Sequence, residues 1–301
     1  MNVAITADVH LGGVRHPERY RALETILSQM ADDAAAHLII AGDLFDAELR
    51  DAAAFEALCR SPAGRRATVH IIPGNHDAGL SGKDIAADNV TVYTEPALVR
   101  LGGGPEFLFL PYRAETGMGA ELAPWAARLK GRPWVLVAHG DYVDGPREAH
   151  PAEPGLYMPL SRRDLGACRP LCAFLGHVHK PLDGPPVWIP GSPCGLDVNE
   201  TGVRRFLMFD SASGSVESRR VRGGVTWFRE SFVVVPVPDE AAALRAEIVG
   251  RIAGWGLSAD ERAAARVRYT HPTVCMQAVP SAPPPGPRTA RTGSSHGRYA
   301  R

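Results

Sequence analysis

One arrangement recurs five times and leaves this chain few ways to fold. A short apolar run ends, and the turn that follows carries acids, amides or histidines. "AITADVH" delivers Asp8 and His10, "LIIAGDLFD" delivers Asp43 and Asp46, and "HIIPGNHD" delivers Asn75, His76 and Asp77. "VLVAHGD" delivers His139, and "AFLGHVH" delivers His177 and His179. Runs of this length bounded by small turn residues read as buried strands. Loops past the strand ends of an open sheet are where α/β folds place their ligands. A lone DVH or GNHD carries little weight, but five such turns in order point to one shared site.

The remaining pattern fits that frame. Strands are expected at 3–7, 38–41, 69–72, 90–93, 107–110, 134–138, 173–175, 187–189 and 206–209, with helices at 17–36, 52–59 and 120–130. Strands alternating with helices indicate an α/β class. A second pattern starts near Trp227, where the run from Phe232 reads as a strand. Asp239 then caps an amphipathic helix to about Gly254, Ser258 offers another cap, and a strand is expected at 267–269. This is a small α+β appendage. From Arg262 onward there are seven arginines and no acid, and residues 280–301 are rich in Pro, Ser, Gly and Arg. That composition cannot bury enough surface to offset its ordering entropy, so disorder is expected. The expected divisions are 1–225, 226–272 and 273–301.

With 301 residues, 45% of them hydrophobic, the chain can build one large domain and an appendage. Formal net charge is zero, so no global field draws it to nucleic acid or membrane. Thirty arginines against three lysines make any single arginine pair a weak signal. Five cysteines without a CxxC pair read as free thiols in a reducing compartment. "MNVAITADVH" lacks a basic segment followed by a long apolar one, and no apolar run nears a membrane span. A soluble, cytoplasmic protein without a membrane partner is the expectation.

The side chains of the five turns combine imidazole, carboxylate and amide oxygen. Such a mixed set suits Mn²⁺, Fe²⁺ or Zn²⁺ better than Mg²⁺ or Ca²⁺. Seven donors are too many for one ion and enough for two that share a carboxylate. Two divalent ions outweigh Asp8, Asp43 and a hydroxide, which favours an anionic substrate such as a phosphate ester.

The series DVH, GDLFD, GNHD, AHGD, GHVH, from residue 8 to 179, resembles the signature of the calcineurin-like metallophosphoesterases. The resemblance implies a four-layer αββα sandwich with two metal ions, Mn²⁺ first among the candidates. Asp8, His10 and His179 would hold the first metal, Asp43 would bridge, and Asn75, His139 and His177 would hold the second. His76 would face the phosphate and protonate the leaving oxygen, with Asp77 orienting its imidazole. Asp46 could support the site or cap the following helix.

"YMPLSRRDLGACRPLCAFLGHVHKP" and "WIPGSPCGLDVNETGVRRFLMFD" resemble the SbcD-type exonuclease subunits of double-strand-break repair. This implies a DNA exonuclease or endonuclease with a capping domain, here cut short, and DNA as partner. It also implies an SbcC-like ATPase, for which no docking helix pair is evident, and a homodimer. Arg15, Arg19, Arg162, Arg163 and Lys180 are candidate DNA-phosphate contacts. Two alternatives stay open. One is a small-molecule phosphoesterase acting on nucleotides or cyclic nucleotides, and the other is a non-catalytic DNA-end or ATPase-binding subunit.

Overall fold

The computed structural model describes residues 1–46, 51–144, 155–233 and 236–270, and the backbone of 299–300. The chain divides into two compact units, Met1–Leu196 with Val203–Gly224, and Asp197–Gly202 with Val225–Arg301.

The first unit opens with parallel β-α crossovers. β1 (Asn2–Thr6), α1 (Pro17–Asp32), β2 (His37–Ala41), α2 (Ala52–Cys59), β3 (Thr68–Ile72) and β4 (Val90–Val92) come first. β5 (Ala97–Arg100), β6 (Glu106–Leu110), α3 (Met118–Leu129), β7 (Trp134–His139), α4 (Arg162–Cys168), β8 (Cys172–Gly176) and β9 (Val187–Trp188) follow. A hairpin of β10 (Arg205–Asp210) and β11 (Val216–Arg220) closes the unit. One sheet runs β11-β10-β1-β2-β3-β4 and the other β5-β6-β7-β8-β9. β1 through β4 are mutually parallel, as are β6 through β9.

Alternation along the strands decides the layering. Val3, Ile5 and Ile39 of one sheet meet Phe107, Phe109, Val135, Val137 and Phe174 of the other in a continuous core. The opposite residues of the second sheet, Leu108, Leu136 and Ala173, pack on Met118, Leu122 and Leu129 of α3 and Leu165 of α4. α1 turns Ala22, Leu23, Ile26, Leu27 and Met30 inward. The architecture is therefore sheets on sheets, flanked by helices. Its parallel strands bring several carboxyl ends to one edge.

The helix expected at 17–36 stops at Asp32, because Ala34 takes a left-handed φ of 51° and turns the chain into β2. β5, β11 and α4 lie outside the expected elements. β5 and β11 are short edge strands, and β11 reads VESRR, with no apolar alternation. α4 is signalled by Ser161 and Asp164, which form a reciprocal capping box.

The second unit holds β12 (Trp227–Ser231), α5 (Glu240–Gly254), α6 (Ala259–Ala264), β13 (Arg266–Thr270) and β14 (Tyr299–Ala300), and its strands form one three-stranded sheet. Its first strand lies at 227–231 rather than from Phe232, because those residues pair in register with β13. Asp239 and Ser258 cap α5 and α6. Phe228 stacks on Trp255 with ring centroids 4.0 Å apart. The tail expected to be disordered lies outside the described residues except for β14. No described helix is long and apolar enough to cross a membrane.

Candidate metal centre

The five turns close on one another. The β1 and β2 turns are zipped by the Leu11 N–H to the Leu44 carbonyl at 2.8 Å and by the His10 N–H to the Asp43 carbonyl at 3.0 Å. Gly42, at φ +93°, is the hinge of the β2 turn, and a side chain there would collide with the His139 ring. The Asp43 carboxylate accepts the His76 N–H at 2.9 Å, tying the β3 turn to the same point. The Asp8 carboxylate accepts the His177 N–H at 2.8 Å, tying β8 to β1.

Donor atoms converge as a result. Asp8, His10 and His179 form one group, Asp43, His139 and His177 a second, and His10, Asp43 and His76 a third. Within each group all ligand atoms lie within 4.8 Å of one another. His10 Nε2 is 3.2 Å from His179 Nε2 and 3.7 Å from an Asp43 oxygen. His139 Nε2 is 3.3 Å from that same Asp43 oxygen and 2.8 Å from Asn75 Oδ1, which His177 Nδ1 approaches to 2.9 Å. Asp43 thus stands between the two groups.

These contacts fit a pair of cations. The second Asp8 oxygen is buried and has no hydrogen-bond partner, which is costly for a carboxylate unless a cation takes it. His139 Nδ1 lies 2.9 Å from the Ala41 carbonyl. That contact fixes Nδ1 as the donor and aims Nε2 at Asp43 and Asn75. Two imidazole nitrogens converge on the Asn75 amide oxygen, an arrangement of electron-pair donors with few protons to share.

The electrostatics of these side chains are those of a compressed donor set. Burial pushes the Asp8 carboxyl up to about 6, against the pull of His179 and His139. Burial also pushes the His10 imidazole down to about 3 and keeps it neutral. Burial alone would raise Asp43, but His139, His10 and His76 outweigh it and hold the carboxyl below its usual range. For His139, burial works downward, yet Asp43 and Asp8 carry it up to about 9. A proton on His139 is thus what a cation would displace, so metal uptake is coupled to proton release.

A family model described as calcineurin-like phosphoesterase matches residues 1–181. The chain belongs to that family. It is therefore a metal-dependent hydrolase of phosphoester bonds, and its family is dinuclear-metal dependent. No curated protein matches it. Among solved structures it is similar to TT1561 of Thermus thermophilus, at 14% identity and a TM-score of 0.48. It is also similar to a structure titled as a novel archaeal phosphodiesterase, at 16% identity and a TM-score of 0.39. Each match covers 73% of this chain and 99% of the other.

For a calcineurin-like phosphoesterase, the residue reached least directly by the sequence pattern is the partner of His76. Asp77 was expected to orient that imidazole. Its carboxylate instead accepts the Gly74 N–H at 2.7 Å and the Phe45 N–H at 3.1 Å, fully buried, so it fixes the loops. The carboxylate facing His76 is that of Asp46, 3.8 Å from Nδ1. Asp46 does not cap α2, whose cap is Asp51.

The candidate phosphate contacts also separate. Arg19 is buried, and its guanidinium binds the His10 carbonyl at 2.5 Å, so it braces the site from within. Arg162 is exposed and turns to Asp144 and Tyr142. Arg15, Arg163 and Lys180 are exposed. No hydrogen bond or ion pair among the described residues joins Arg15, Arg162 or Arg163 to the donor cluster.

Three further residues shape the site. Buried Arg204 binds the His179 carbonyl at 2.7 Å and the Ser192 carbonyl at 2.9 Å, which locks the GSP loop behind His179. Asp141 of the AHGD turn accepts the Tyr157 N–H at 2.8 Å. Tyr157 in turn places its ring 4.7 Å from that of His177. Asp141 lies within a metal motif, whereas Tyr157 and Arg204 lie in the stretches that flank GHVH, where nothing local singles them out.

Proposed function

We propose that this phosphoesterase is a Mn²⁺-dependent DNA phosphodiesterase, an exonuclease or endonuclease that works at DNA ends. The reading rests on one observation. The GSP loop, whose flanking sequence carries the resemblance to SbcD-type nucleases, is clamped by Arg204 directly onto the main chain of His179. The segment that carries that resemblance is thereby tied to a residue expected to hold metal.

Asp8, His10 and His179 would hold one cation, Asn75, His139 and His177 the other, and Asp43 would bridge them. When bound, the two cations supply Lewis acidity toward the phosphate oxygens and lower the pKa of a nucleophilic water. The chain's own residues do the rest. Asp8 and Asp43 hold the turns of β1, β2, β3 and β8 in fixed relation, so the donors need no reorganisation on binding. His76 is partly exposed, its ring set edge-on to His10 at 4.7 Å, where it can protonate a departing sugar oxygen. An Asp46 carboxylate oxygen lies 3.8 Å from Nδ1 of that imidazole.

The test is a substrate panel in Mn²⁺ of duplex ends, single strands, hairpins, mononucleotides and cyclic nucleotides, with His76→Ala as control. DNA cleavage is expected, and His76→Ala should lower it by about 10²–10⁴-fold while both metals stay bound. Turnover of cyclic or mononucleotides alone, without salt-sensitive DNA binding, would favour a small-molecule phosphoesterase. End binding that His76→Ala leaves intact, with no cleavage of any substrate by the native protein, would favour a non-catalytic subunit.

A further inference from the structure

Of the chain's arginines, two are buried among the described residues, Arg19 and Arg204. Arg19 sits in the first turn of α1, where a positive charge opposes the helix dipole. A charge that is both buried and badly placed for its helix must be held by something else. Its Nη1 binds the His10 carbonyl at 2.5 Å and lies 3.4 Å from an Asp46 oxygen. The other Asp46 oxygen faces His76 Nδ1. Gly12 keeps the way clear, because a side chain there would crowd Nη1 at 3.3 Å. His10 itself is left-handed, with φ of 48°, a conformation its carbonyl contact helps to fix.

We propose that Arg19 is a positioning residue: by binding the His10 carbonyl and the Asp46 carboxylate at once, it holds the His76 imidazole where it can protonate the leaving oxygen. One guanidinium thus couples the first-metal turn to the proton donor. Neither contact reaches substrate. The inference rests on the phosphodiesterase reading given above, and goes beyond it in assigning the order of contacts Arg19, Asp46, His76.

Two phosphodiesters separate a positioning role from a merely structural one. In bis(p-nitrophenyl) phosphate the leaving group departs without a proton. In a thymidine dinucleotide the departing sugar oxygen needs one. At saturating Mn²⁺, Arg19→Gln should lower kcat on the dinucleotide by about a hundredfold, the scale of lost acid catalysis, and on the nitrophenyl ester by less than about threefold. Metal stoichiometry by elemental analysis should stay at two, and Arg19→Lys should recover part of the loss. The double variant with His76→Ala should be no slower on the dinucleotide than His76→Ala alone. Asp46→Asn, which leaves the buried guanidinium in place, should show the same selectivity and serves if Arg19→Gln does not fold.

Equal losses on both esters, or a loss cured by raising Mn²⁺, would overturn the proposal and reduce Arg19 to a brace of the His10 turn. If the native protein cleaves neither ester, the phosphodiesterase reading fails on its own. The ¹⁵N resonances of His76 in the Zn²⁺-loaded protein still report the coupling. They should move in Arg19→Gln, and unchanged resonances would refute it.

Discussion

Asp8 carries the most informative substitution, because its effect should reverse sign with metal. In the metal-free protein its carboxyl is fully buried, one oxygen accepts the His177 N–H, and the other has no partner. Burial raises it from its ordinary 3.8 to about 6. A folded-state value above the unfolded one means that the native chain holds the proton longer, so stability declines as pH rises between about 4 and 6. Above that window the full cost is present, and about two pKa units correspond to about 3 kcal/mol. Asp8→Asn keeps an oxygen for the His177 N–H and removes the charge. At pH 8 with chelator it should be more stable than the native protein by up to about 3 kcal/mol, and at pH 4.5 by about 1 kcal/mol. For a unit of this size, 1 kcal/mol moves Tm by about 2–4 °C. With Mn²⁺ the order should reverse. A ligand at about a thousand times its Kd adds about 4.1 kcal/mol, more than the roughly 3 kcal/mol gained by removing the charge, and the variant forfeits that share for the first metal. Thermal melts of both proteins at the two pH values, with chelator and with Mn²⁺, decide it. A variant less stable than the native protein in chelator at pH 8 would refute the claim that burial of the Asp8 charge is a net cost until a cation arrives.

Two other outcomes follow from single residues. Gly42→Ala should cost about 2–5 kcal/mol, combining a left-handed conformation with a collision against His139. It should also lower metal content, and a urea midpoint and metal stoichiometry matching the native protein would count against it. His70 is buried on β3 between His37, 3.1 Å from its Nε2, and the Tyr93 hydroxyl, 2.9 Å from its Nδ1. Burial pushes its imidazole down to about 4. Here the unfolded chain binds the proton first, so stability is complete above about 6.5 and falls away as pH drops toward 4. His70→Asn should remove about 3 kcal/mol of that acid loss, read as a flatter urea midpoint against pH, whatever it costs at neutral pH.

The strands that end in ligands are legible because two independent signals coincide there. An apolar run marks the strand, and a chemically unusual turn follows. All five such strands occur within a residue or two of their expected bounds. β11 is not legible, because each of its five residues is exposed or half-buried and VESRR carries no apolar alternation. The structural role of Arg19 is hidden for a compositional reason. In a chain with thirty arginines, burial of one leaves no trace in the pattern, since only the three-dimensional path brings it to the His10 carbonyl. Asp46 and Asp77 show the same limit at closer range. Both are acids next to the right motif, and rank order between them is decided by where the backbone N–H groups of Gly74 and Phe45 point.

The backbone of the site explains why such a geometry persists against local preference. Asp8, His10, Asp43 and His177 all have positive φ, at 53°, 48°, 50° and 91°, although none is glycine. Each such residue costs about 1–3 kcal/mol, so four of the donor residues sit where the isolated chain would avoid them. Neighbouring bonds over-determine them: the Asp8 N–H to the Gly42 carbonyl at 3.1 Å, the His10 N–H to the Asp43 carbonyl at 3.0 Å, and the His177 N–H to the Asp8 carboxylate at 2.8 Å. Each bond runs between turns that follow different strands, so no single turn can relax without opening another. The two sheets, held by an apolar core of Val3, Ile5, Phe109, Val137 and Phe174, keep those turns together before any metal arrives. A centre built this way draws on folding free energy to hold its donors close together. What the strain secures is a donor set already placed for the cations and for the charge that develops on a phosphate in transfer.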